Sequence, residues 1–91
     1  MKTLADLNVR MDKLRSDLQV LANDAMERCE LRVDGEARFE RYANDLVREF
    51  YAEVLQAIVN DIDRPGYIAH CALYAPTIYD EVRAVLLKHY E

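Results

Sequence analysis

The chain has no tryptophan, two glycines, two prolines, two cysteines and a single serine, Ser16, in 91 residues. So little Gly, Pro and Ser excludes collagen-like repeats, low-complexity linkers and a loop-rich scaffold. Cys29 and Cys71 form no CxxC pair and are too few for a disulfide framework. They are expected to be free thiols in a reducing compartment, packing as small apolar side chains. No apolar run approaches the roughly 18–20 residues of a membrane span. Met1-Lys2-Thr3 leads into a charged amphipathic segment without the apolar stretch of a signal peptide. These absences point to a soluble, cytoplasmic protein of one domain, residues 1–91.

Catalytic patterns are missing as well. His70 and Cys71 are neighbours, and neighbours on a helix point roughly 100° apart, so they cannot act as base and nucleophile within one helix. No close ligand pair of the CxxC or HxxxH kind suggests zinc, with His89 and Cys29 far apart in the chain. Ser16 has no histidine near it, and the two glycines stand singly, so no phosphate-cradling loop exists. The expectation is no enzyme, no metal and no cofactor.

What is present is a helical pattern: 52% of the residues are hydrophobic and 32% charged. In the stretch LADLNVRMDKLRSDLQVL, residues Leu4, Leu7, Met11, Leu14, Leu18 and Leu21 recur at spacings of three and four, and Ala25 continues the row. That is a coiled-coil seam. A second helix, from about Glu36 to Ile62, carries two apolar rows: Phe39, Ala43, Val47, Tyr51, Leu55, Ile58 and Ile62, beside Tyr42, Leu46, Phe50, Val54 and Ala57. A face that broad is covered from more than one side.

Asp34-Gly35 is the strong breaker between the two helices. Folding back there sets Leu7 against Ile62, Met11 against Ile58, Leu14 against Leu55, Leu18 against Tyr51, Leu21 against Val47, Ala25 against Ala43 and Cys29 against Phe39. The predicted fold is therefore all-α. It is a long antiparallel helical hairpin (3–33 and 36–62) crossed by two shorter helices. Asp63-Arg64-Pro65-Gly66 ends the hairpin, and residues 66–74 form a short helix that Ala75-Pro76 stops. Thr77 caps a last helix over 77–90, packing through Ile78, Val82, Val85, Leu86 and His89. A continuous rod through Gly35, paired between chains, is the rival arrangement.

The net charge of −5 argues against a dedicated nucleic-acid binder. Residues 36–63 hold seven carboxylates against three arginines, and Asp45, Glu49 and Glu53 form a row at every fourth position. Such a row is either a solvated face or a surface that meets a basic partner. Around the bend, Arg28, Arg32, Arg38 and Arg41 are interleaved with acids. They read as a self-paired tip, with a phosphate backbone as the alternative contact. Tyr67, Tyr74, Tyr79 and Tyr90, with Ile68, Leu73 and His70, either seal the short helices onto the hairpin or make a second candidate contact patch, because tyrosine combines an apolar body with a polar tip.

The expected function is a small non-enzymatic module that binds, and inhibits or regulates, a larger protein. A compact acidic helical chain suits phage or mobile-element modulators. The alternatives are a self-assembling coiled-coil scaffold or assembly chaperone seamed through Leu4–Leu21, which could be a homodimer, and a nucleic-acid-binding regulator using the arginines at the bend.

Overall fold

The computed structural model describes residues 4–59 and 64–91, as three helices: α1 (Leu4–Arg28), α2 (Arg32–Val59) and α3 (Arg64–His89). They lie side by side in a rod of 46 × 17 × 16 Å. Helices α1 and α2 form the expected antiparallel hairpin, and α3 packs on both. It runs parallel to α1. Met11 meets Tyr74, Arg15 meets Glu81, and Cys29 meets Tyr90, so both helices advance in the same direction.

The seam closes within the chain. Leu7, Met11, Leu14, Leu18, Ala22 and Ala25 are buried against Phe39, Ala43, Phe50 and Val54 of α2 and Cys71, Ala75, Ile78, Val82 and Leu86 of α3. Leu21 lies at its edge, and the Leu4 side chain is outside the described set. Each large side chain fully buried this way contributes about 1.5–3 kcal/mol. Spacings of three and four keep those residues on one side of each helix.

The bend lies elsewhere than Asp34-Gly35. The helical pattern stops at Cys29–Leu31, a turn with neither Gly nor Pro, and Gly35 sits in the first turns of α2 with its N–H bonded to the Leu31 carbonyl at 3.1 Å. Tyr90 explains both facts. Its hydroxyl donates to the Cys29 carbonyl at 2.7 Å, an acceptor that the end of α1 leaves open, and lies 3.3 Å from the Ala25 carbonyl, which already accepts from the Cys29 N–H. The phenol rests on Gly35. A Cβ there would stand 2.9 Å from two of its ring carbons and closer still to the oxygen. Gly35 is small to admit Tyr90, not to break a helix.

With the turn moved toward the N-terminus, the hairpin register moves by about six residues, nearly two helical turns. Arg10 pairs with Glu53 and Asp24 with Arg38, so the predicted pairs such as Leu14 with Leu55 do not form a seam. Leu55 is 62% exposed, and the buried stripe of α2 instead crosses from Phe39 and Ala43 to Phe50 and Val54. Ile62 lies outside the described residues, as does the Ile58 side chain.

The two short helices are also corrected. Helix α3 continues through Pro76 from Arg64 to His89. An interior proline cannot donate to the carbonyl four residues back and costs about 3 kcal/mol. Docking offsets that loss, because Cys71 and Ala75 before it and Ile78, Val82 and Leu86 after it enter the same core. Thr77 is no cap; its hydroxyl donates to the Leu73 carbonyl within the helix at 2.7 Å. Arg64, Pro65 and Gly66 belong to the first turn of α3, where a proline has no helical N–H bond to lose. Asp63 lies outside the described residues. Val85 is 61% exposed and His89 is also exposed, so neither belongs to the packing stripe.

Candidate functional site

Three surfaces carry the residues singled out from the sequence. The first is the solvent-facing side of α2, where Asp45 and Glu49 stand one turn apart and exposed. Neither has an ion-pair or hydrogen-bond partner among the described residues. Glu53, the third of the row, is engaged: it accepts from Arg10 across the α1–α2 seam. Arg10 is itself only 9% exposed, and its guanidinium carbon lies 5.5 Å from the centre of the Phe50 ring. The row thus divides into two free carboxylates and one that closes a packed pair.

The second surface is the tip around residues 29–31. Arg28 bonds Asp24 at 2.6 Å, Arg32 bonds Glu36 at 2.8 Å, and Arg38 reaches across to the same Asp24 at 2.7 Å. The hydrogen bonds from Arg38 and then Arg28 hold the Asp24 carboxyl below its usual range. Asp34 does not pair with Arg38, as a four-residue spacing alone would suggest. Arg38 and Arg41 both lie over Tyr42, at 5.4 and 5.6 Å from the ring centre. Of the four arginines, three already have carboxylates of their own chain.

The third surface is a groove between the parallel helices α1 and α3. One part of it, about 310 Å³, is lined by Arg15, Gln19, Asn23 and Glu81 over Ala22, Val82 and Val85. The other part, about 180 Å³, lies between Arg15 and the side chains of His70, Leu73, Tyr74, Thr77 and Ile78. Arg15 stands between the two, with Nη1 3.1 Å from Glu81 Oε2. Its guanidinium is held more firmly charged by Tyr74 and then by Glu81. Leu73 and Val85 stand 73% and 61% exposed along this groove.

The aromatic segment 67–79 divides between core and surface. Tyr74 is half-buried and donates to the Met11 carbonyl at 2.9 Å, while Tyr79 tilts against Phe39 with ring centres 5.5 Å apart. Burial pushes the Tyr79 hydroxyl pKa up, and nearby Glu40 adds to the shift. His70 is exposed at the groove, and the side chains of Tyr67 and Ile68 are outside the described set. Cys29 and Cys71 are free thiols, with Cys71 pushed up in pKa by burial. Among the described residues no set of three His, Cys, Asp or Glu side chains is placed to hold a metal ion, and no helix is long and apolar enough to cross a membrane.

Known protein families, curated proteins and solved structures contain no match to this chain. What the surfaces can do is therefore read from their chemistry alone. Sequence reasoning reached the α2 carboxylates and, on α3, His70, Leu73 and Tyr74 of the groove, but not its Arg15, Gln19 and Asn23 from α1 or Glu81 and Val85 from α3. Those sets lie some sixty residues apart, and nothing local marks either of them.

Proposed function

We propose that this chain is a small non-enzymatic interaction module that binds a larger protein and regulates it by occluding a basic surface. The carrying observation is the contrast on the bundle's charged faces. Asp24, Glu36, Glu40 and Glu53 are each answered by an arginine of the same chain, whereas Asp45 and Glu49, one turn apart on the same face of α2, have no partner among the described residues. Two like charges one turn apart destabilise a helix by roughly 0.2–0.5 kcal/mol. A partner's lysines or arginines would convert that repulsion into attraction and steer the encounter.

Two observations favour this reading over its rivals. A scaffold seamed through Leu7, Met11, Leu14 and Leu18 would need those side chains outside, and they are buried within one chain. A phosphate contact at the tip would compete with Asp24 and Glu36 for Arg28, Arg32 and Arg38, three of its four arginines.

The test is affinity capture with the wild-type chain and with the Asp45→Lys/Glu49→Lys double variant, followed by identification of the retained proteins. A partner kept by the wild type at low salt should disappear with the double variant and persist with Asp12→Lys, an exposed carboxylate of α1. Equal retention by both α2 sequences would remove the acidic face from the mechanism.

A further inference from the structure

Helix α3 carries a ridge of every fourth residue, Leu73, Thr77, Glu81 and Val85, and all four lie along the α1–α3 groove. Ridges with this spacing pack against one another when two helices cross at about −50°. The ridge is also its own complement. A two-fold axis midway between Thr77 and Glu81 sets Leu73 of one copy beside Val85 of the other and Glu81 of one copy beside Thr77 of the other, whose hydroxyl is already given to the Leu73 carbonyl. Arg15, bonded to Glu81 and carrying five N–H donors, lies next to the same axis.

We propose that a second copy of this chain docks in the α1–α3 groove about such an axis, with Arg15 and Glu81 of the two copies alternating in a ring of four charges. An isologous dimer requires a patch that carries both halves of its own contact. This groove does: it has an apolar side chain at each end and an exposed cation–anion pair between them. A partner with one sign of charge would leave either Arg15 or Glu81 facing its like. A second copy supplies both signs at matching heights. None of these residues belongs to the Asp45–Glu49 face, so the dimer and the binding of a larger protein stand or fall separately.

The experiment is sedimentation equilibrium of the whole chain over a concentration series up to ~1 mM, the weak end of specific association. The wild type should pass from monomer to dimer. Leu73→Glu and Val85→Glu replace side chains that are 73% and 61% exposed in the monomer and lie outside its core. Each should keep its helical circular dichroism and weaken the dimer at least about tenfold, or ~1.4 kcal/mol. Should one of them lose helix, the other carries the comparison. Arg15→Glu and Glu81→Arg should each stay monomeric, and an equimolar mixture of the two should recover the dimer. A wild type that is monomeric throughout would give the groove to a different protein and overturn the proposal. A dimer indifferent to Leu73→Glu and Val85→Glu would overturn it too, by placing the contact on another face. Failure of the mixture to associate would overturn the charge ring.

Discussion

Arg10 is the charged side chain that the bundle buries among its described residues, and replacing it tests what holds the hairpin in register. Two terms favour the arginine. Its bond to Glu53, whose side chain is 50% exposed, contributes about 1–2 kcal/mol. Its stacking on Phe50 contributes roughly 0.5–2 kcal/mol. Two terms oppose it. Removing a guanidinium from water costs several kcal/mol, of which a half-solvated partner restores only part. Nη1 is buried without an acceptor among the described residues, at about 1–3 kcal/mol. Arg10→Met keeps an unbranched stem against Phe50, adds a sulfur–aromatic contact and lets Glu53 return to solvent. The variant should be more stable by about 1–3 kcal/mol. In urea unfolding followed at 222 nm, that is a midpoint rise on the order of 1 M, with an unchanged slope. Glu53→Gln leaves the buried cation unanswered and should lose about 1–3 kcal/mol, less than the ~3–5 of a fully enclosed pair. If Arg10→Met instead loses more than ~1 kcal/mol, the ion pair is a net stabiliser and the reasoning fails.

Gly35→Ala should destabilise the bundle by about 1–3 kcal/mol, because its Cβ must displace the Tyr90 ring that donates to Cys29; an unchanged urea midpoint would show that the ring yields freely. Alkaline pH should unfold the chain progressively. Burial raises Cys71 above its ordinary 9.0 and Tyr79 and Tyr90 above 10.0. The unfolded chain therefore sheds these protons first, and the stability they confer is complete below those values and lost as pH rises through the folded ones. Midpoints measured from roughly pH 8 to 11 should fall, and Tyr79→Phe should flatten part of the slope; a level profile would contradict the burial of these groups.

The hairpin was legible because a period of three and four over Leu7–Ala25 has one structural solution, a helix with a single apolar side. Its register was not legible. Gly35 reads as a breaker in isolation, and only Tyr90, 55 positions away, reveals that its smallness serves a contact. Pro76 misled in the opposite direction. Its local cost is real, but Ala75 and Ile78 on either side both enter the core, and tertiary burial outweighs one missing hydrogen bond. At the candidate sites, Asp45 and Glu49 could be found from their spacing. Glu53 could not be separated from them, because its partner Arg10 lies 43 positions away. The α3 side of the groove was partly legible in His70 and Tyr74, but Arg15, Gln19 and Asn23 were not, because the groove exists only once α1 and α3 lie together.

Parallel α1 and α3 against a single opposed α2 leave the backbone dipoles of the rod unbalanced. With 25 and 26 residues pointing one way and 28 the other, and ~3.5 D per peptide, about one helix's worth, on the order of 80 D, stays uncancelled. Its negative pole is the end where α1 and α3 both terminate. Arg28, Lys88 and His89 occupy those two last turns, while Asp34 sits in the first turn of α2 beside them. Arg28 and Lys88, the cations gathered at that end, therefore answer the peptide backbone before they answer any ligand.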